Sequence, residues 1–158
     1  MSQPSDSTAF SHAFESKSGR RLGIDIGTVR IGTAISDPAG ILATPLEMIE
    51  RDRYHKYLQR ISALVKHYDV VEVIIGLPRT LSNKPSKSTH DAIAVAKKLS
   101  ARLTPIPVLF SDERLSTVTA QRLFRQAGIS TRQQKTRIDQ AAAVVILQQW
   151  LDQHHTVG

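Results

Sequence analysis

Three acids in this chain stand where an acid is costly or out of pattern. Asp25 lies in RLGIDIGT (residues 21–28), between Gly23 and Gly27 and within the apolar alternation of Leu22, Ile24 and Ile26. A carboxylate set into an apolar strand must find a partner or a counter-ion, and the flanking glycines leave room for something to approach the backbone. Asp139 opens IDQAAAVVILQQWL, where Ala142, Ala143, Ile146 and Trp150 follow at helical spacing on one apolar face. Glu113 sits in SDERLST, between Asp112 and Arg114, after an apolar run and before a Ser/Thr cap. Strand ends followed by capped helices commonly carry functional loops. Each acid alone also has a plainer reading: a strand end, a favourable first-turn charge for the helix dipole, a local ion pair. Together they suggest a cluster. Two carboxylates about 4 Å apart repel by roughly 4 kcal/mol at an effective dielectric near 20, so a cluster needs raised pKa values, neighbouring Arg or Lys, or a bound cation. Ligands that are all oxygen favour Mg²⁺ or Mn²⁺ over zinc. The cluster forms if the first and fifth strands run side by side and the last helix packs across them.

The elements that must position these acids are readable from periodicity. Leu22 to Ile26 alternate with period two, and Arg30 to Ser36 alternate again after the Gly27-Thr28 turn, which predicts a hairpin. Asp37-Pro38-Ala39-Gly40 is turn chemistry, and Ile41 to Ile49 reads as a third strand weakened by Pro45. From about Tyr54 to Tyr68 the period is helical, with Tyr57, Leu58, Ile61, Leu64 and Val65 on one face. Val70 to Ile75 reads as a buried strand ending at Gly76-Leu77-Pro78, before the polar loop RTLSNKPSKS. Ser88 and Asp91 have capping-box spacing for a helix reaching about Leu103; His90 beside them reads as a surface residue. Ile106 to Phe110 is a fifth strand; Ser116 or Thr117 caps a helix through Val118, Leu123 and Phe124 that stops at Gly128. The basic stretch STRQQKTR precedes a last helix from about Ile138 to Asp152. Three antiparallel strands followed by alternating helices and strands predict an α/β fold, a five-stranded mixed sheet with helices on both faces.

At 158 residues the chain suits one domain with its own core. Residues 1–19 are Ser-rich and poor in large aliphatics, which predicts a disordered tail. The domain is then expected over residues 20–153, with a flexible end at 154–158. There is no cysteine, so disulfides and thiolate metal sites are excluded. That suits a reducing compartment. With no apolar run long enough to span a bilayer and no apolar signal region, the expectation is a cytoplasmic protein without a membrane partner. The formal charge of +7 raises the odds of a polyanionic partner.

Four motifs in order, GIDIGTVRIGTAISD, VIIGLPRT, DERLSTVTAQRLF and IDQAAAVVILQQWL, resemble the YqgF/RuvX family over about residues 21 to 152. The resemblance implies an RNase H-like fold. Members of that family are described as Holliday junction resolvases and as pre-16S rRNA nucleases. The family's first-strand Asp falls on Asp25, the Glu of its DER motif on Glu113, the Asp opening its last helix on Asp139 and the Arg of its first motif on Arg30. Many relatives carry a glycine in the loop after GLP, where this chain reads RTLSNKPSKS. The resemblance implies phosphodiester hydrolysis assisted by one or two Mg²⁺ or Mn²⁺ ions on Asp25, Glu113 and Asp139. Arg30, Lys84, Lys87, Arg132, Lys135 and Arg137 then become candidates for gripping phosphates. The implied substrate is structured RNA, as in 5′-end processing of precursor 16S rRNA, or branched DNA, as in junction resolution.

Two readings of other classes compete. GIDIGT also resembles the phosphate-binding turn of actin-like ATP-binding domains and sugar kinases, but those clamp nucleotide between two related domains, and one domain of this length cannot do so alone. A non-catalytic nucleic-acid-binding module is the other, and the intact acidic triad argues against it. Symmetric cutting of a four-way junction would require a homodimer. Aromatic residues are 5% of the chain and most read as core, so backbone or shape recognition is expected rather than base recognition.

Overall fold

The computed structural model describes residues 18–77, 86–112 and 131–154, with Asp112 and residues 131–140 described by their backbone. The strands are β1 (Arg20–Ile26), β2 (Arg30–Ser36), β3 (Ala43–Glu50), β4 (Val70–Leu77) and β5 (Val108–Asp112), and the helices are α1 (Lys56–His67), α2 (Lys87–Leu103) and α3 (Thr131–His154). They form one five-stranded sheet in the order β3-β2-β1-β4-β5. β1, β2 and β3 are an antiparallel meander, and β4 and β5 add in parallel to β1, each reached by a helical crossover. The expected α/β fold with a mixed sheet is therefore what the chain adopts.

Alternation along β1 divides its side chains between two layers. Leu22, Ile24 and Ile26 point into a core shared with Ile61, Leu64 and Val65 of α1 and Val95 and Leu99 of α2. Ala34, Ala43 and Ile74 face the opposite layer, packed against Ala143, Ile146, Leu147 and Trp150 of α3. Helices thus cover both faces. Gly23 lies on the α3 side, and a Cβ there would come within 2.7 Å of Leu147 Cβ and 3.1 Å of the Ala143 carbonyl oxygen. The missing side chain is what lets α3 lie directly on β1. Gln148 of the same helix donates to the Ile41 carbonyl at 2.8 Å and accepts from the Ala43 amide at 2.9 Å, fastening α3 to the start of β3.

Several element bounds differ from the sequence reading, each for a local reason. β3 begins at Ala43 rather than Ile41, because the Asp37 carboxylate accepts from the amides of Ile41 (2.7 Å) and Leu42 (2.8 Å) and holds both in the turn. β5 begins at Val108 rather than Ile106, whose amide still bonds back to Leu103 at the end of α2. The cap of α2 is Ser86, not Ser88. Its hydroxyl accepts from the Thr89 amide at 3.2 Å, and Thr89 Oγ1 accepts from the Ser86 amide at 3.1 Å. Pro45 is accommodated in the edge strand β3, opposite Ala34 and next to an irregularity in the register. α3 starts at Thr131, about two turns before Ile138, so most of STRQQKTR is helical. Arg, Gln and Lys are good helix formers, but a polar turn has no apolar period to reveal it. The helix expected between Ser116 and Gly128 lies outside the described residues, as do residues 1–17 of the expected tail.

Arg21 also lies on the α3 side, with only 2% of its surface exposed. Its Nε donates to Glu72 Oε1 of the neighbouring β4 at 2.8 Å, and its Nη1 donates to the Gly19 carbonyl at 2.8 Å. Removing the acid leaves a buried cation without its counter-charge. Glu72→Ala is therefore expected to cost about 3 kcal/mol, the low end for a broken buried pair, since Glu72 keeps 22% exposure. Urea denaturation of the two proteins measures the difference.

Candidate active site at the carboxyl rim of the sheet

Because β1, β4 and β5 are parallel, their carboxyl ends lie along one rim of the sheet. In parallel α/β sheets that rim is where ligands bind. Asp25 is the next-to-last residue of β1, partly buried, and shares the α3 side with Gly23. Its neighbours on the sheet are small. Gly32 is its partner across β2, and Gly76 stands one step beyond the Ile24–Ile75 pairing on β4. With Gly23 before it and Gly27 after it, four glycines surround one carboxylate. None of the four adds a side chain beside the acid; the space over Gly23 is filled by Leu147 of α3, and Gly32 and Gly76 are themselves buried. A carboxylate oxygen at such a rim suits a hard divalent cation.

The turn that follows is tightly built. The Gly27 amide donates to the Arg30 carbonyl at 2.9 Å, and a Cβ on Gly27 would collide with that oxygen. The Gly27 carbonyl accepts from Arg51 Nη1 at 2.9 Å. Arg51 also holds Asp91 of α2 in a two-pronged ion pair, at 2.6 and 3.0 Å. It thereby ties the end of β1, the end of β3 and the first turns of α2 into one unit. The sequence reading missed Arg51 and assigned Asp91 to a helix cap. No local pattern marks a pair 40 residues apart. The Arg51 guanidinium, chiefly through its hydrogen bonds, holds the Asp91 carboxyl below its ordinary value of 3.8. A lowered folded-state pKa adds stability above the unfolded value and loses it as pH falls through the folded one. Wild type should thus lose stability relative to Asp91→Asn as pH falls below about 4, by under about 1 kcal/mol because the pair is partly solvated. Urea midpoints across that range check it.

The other predicted residues fall as follows. β4 lies between β1 and β5, so the first and fifth strands are not side by side as the acidic cluster was expected to require. Two strand spacings, about 10 Å, separate them. Glu113 lies outside the described residues; it follows Asp112, the last residue of β5, which pairs with Leu77 at the rim. Asp139 is on α3, and its backbone placement follows from the residues around it. Leu151 lies near Gly40 beside Arg21, and Leu147 and Ala143 lie over Gly23. α3 thus runs back along β1, and its earlier turns lead toward Asp25. Asp139 is four residues before Ala143, about 6 Å along the helix, close to the roughly 6.6 Å between Gly23 and Asp25. Arg30 is exposed at the start of β2, and Lys87 is exposed at the start of α2. Arg132, Lys135 and Arg137 lie in the first two turns of α3, and Lys84 is outside the described residues. Among the described residues no three His, Cys, Asp or Glu side chains converge, and those of Glu113 and Asp139 are not among them.

The pattern of the family described as "RuvX: Holliday junction resolvase" matches residues 19–153. The chain belongs to the RuvX family. Its relatives include a protein of Mycobacterium ulcerans named "Putative pre-16S rRNA nuclease", 59% identical over 140 residues, covering 89% of this chain and 82% of the relative. A protein of the same name from Mycolicibacterium smegmatis is 59% identical over 138 residues, covering 85% and 81%. Among solved structures, T. thermophilus RuvC in complex with a Holliday junction substrate superposes with a TM-score of 0.51 at 14% identity, over 87% of this chain and 96% of that one. That likeness identifies the RuvX-family chain as RNase H-like in fold. Among its described residues no helix is long and apolar enough to cross a membrane.

Proposed function

We propose that this RuvX-family chain is a nuclease that hydrolyses phosphodiester bonds of precursor 16S rRNA, with Asp25, Glu113 and Asp139 as the ligands of Mg²⁺ or Mn²⁺. The observation that carries the reading is Asp25 itself: a partly buried carboxylate at the carboxyl rim, ringed by glycines, on the side where α3 leads Asp139 toward it. A divalent ion held there supplies Lewis acidity and a bound water of lowered pKa. Asp25 offers its oxygens from a rigid central strand. Gly32 and Gly76, both buried, add no side chain beside it, and the Gly27–Arg51–Asp91 clamp keeps the end of the strand from shifting. Arg30, Lys84, Lys87, Arg132, Lys135 and Arg137 grip the phosphates. Each such contact steepens the fall of affinity with salt by close to one unit of the log–log slope.

A second reading, resolution of four-way DNA junctions, is favoured by the description of the family. It requires two such sites facing one junction, hence a homodimer. The deciding experiment offers a labelled RNA spanning the 16S 5′ boundary and a four-way DNA junction side by side, with Mg²⁺, Mn²⁺ or chelator. The oligomeric state is measured at the same concentration. The expected result is metal-dependent cutting of the RNA at a defined position. Faster symmetric cutting of the junction by a dimer would favour the second reading, and cutting undiminished by chelator would defeat both.

A further inference from the structure

We infer that Tyr54 and Val29 form a stacking platform for an unpaired nucleobase of the substrate, beside the acidic site; the inference rests on the nuclease reading above. Tyr54 is 75% exposed and Val29 63%, the two highest exposures among the large apolar and aromatic side chains described. Both stand at the rim that carries Asp25. Val29 is in the turn from β1 to β2, Tyr54 in the turn from β3 to α1, and the Arg51 amide joins the turns by donating to the Val29 carbonyl at 2.9 Å. Among the described residues no ring or cation stacks on Tyr54.

The turn that presents the ring is fixed, so the exposure is built in. The Asp52 carboxylate accepts from the amides of Tyr54 (3.2 Å) and Tyr57 (3.3 Å), and the Asp52 carbonyl accepts from the His55 amide at 3.2 Å. His55 takes a left-handed backbone, φ 60°, a conformation that costs of order 1 kcal/mol in a residue other than glycine. The charges around the ring favour a polyanion. Arg30, Arg53 and Lys56 are exposed, while of the nearby acids Asp52 is engaged by the turn and Glu50 is exposed. An exposed aromatic among cations, continuous with a phosphate-binding rim, is how single strands are held without sequence preference. Ile41 and Leu42, also exposed, belong to the β2–β3 turn at the opposite end of the sheet and lack this setting. The platform departs from the sequence expectation that aromatic residues serve the core.

The test measures binding of two fluorescent RNA hairpins, one with a short unpaired uridine tail and one blunt, by anisotropy with metal chelated and salt fixed. The tailed-over-blunt affinity ratio should fall about five- to hundredfold in Tyr54→Ala, the range for one base stacked on an aromatic ring, and persist in Tyr54→Phe. A ratio unchanged in Tyr54→Ala, or a wild type indifferent to the tail, overturns the platform. An active nuclease with an unchanged ratio defeats the platform alone. A Tyr54-dependent ratio in a protein that cuts neither RNA nor junction with metal defeats the nuclease reading alone.

Discussion

Asp25→Asn is expected to abolish metal-dependent cleavage while leaving the fold in place. Asn has nearly the shape of Asp, and the strand pairing at this position, Asp25 with Gly32, is made by the backbone. What is lost is the negative charge and one oxygen donor at the centre of the proposed triad. Metal-derived stabilisation of a transition state is worth several kcal/mol, so the rate should fall by roughly a thousandfold or more. Binding of the RNA should persist, because the phosphate grip comes from basic residues elsewhere. Two measurements decide it: single-turnover cleavage with Mg²⁺ or Mn²⁺, and calorimetric titration of Mn²⁺ into the protein without substrate. Undiminished cleavage by the variant would remove Asp25 from the centre of the reaction, and undiminished Mn²⁺ binding would remove it from the metal site.

Gly23→Ala is expected to reduce both stability and cleavage, although Gly23 holds no reactive group. The added methyl meets Leu147 Cβ at 2.7 Å and the Ala143 carbonyl at 3.1 Å, both close to the helix axis and unable to swing aside. α3 must lift from β1. Overpacking of this kind costs about 1–3 kcal/mol. The same shift carries the early turns of α3, and Asp139 with them, away from the strand that bears Asp25. A displacement near 1 Å can cost about a hundredfold in rate. Urea denaturation reads the first effect and single-turnover cleavage the second. If stability falls but the rate does not, the position of α3 on β1 does not govern the chemistry, and the role proposed for Asp139 loses its main support.

The contrast between Asp25 and Arg51 shows what was legible. Asp25 stands out in the sequence because strand periodicity is local. Leu22, Ile24 and Ile26 declare one buried face, and an acid between them falls on the other side with Gly23. The helical stripe behind Asp139 is local in the same sense, and α3 does pack through Ala143 and Ile146. Ser86 and Ser88 show where local signals are degenerate. Either residue could cap a helix, and the reciprocal bonds of Ser86 and Thr89 choose between them. Arg51 looks like any surface arginine in RDRYHK, and its meeting with Asp91 and Gly27 depends on how β3, α2 and the hairpin turn are brought together. The helical period of the sequence includes Tyr54, and only the Asp52 turn sets it outside α1.

By itself, then, the sequence determined the element types of the described segments, the two faces of β1, the acid on the α3 side and the family. Each of these is written in residues a few positions apart, where side-chain period and composition act directly. The tertiary structure decided that β4 separates β1 from β5, that α3 runs back along β1 over Gly23, and that Arg51 locks the end of β1 to α2. Those outcomes depend on the burial of two whole faces at once and on close approaches between distant segments, which no local run of residues encodes.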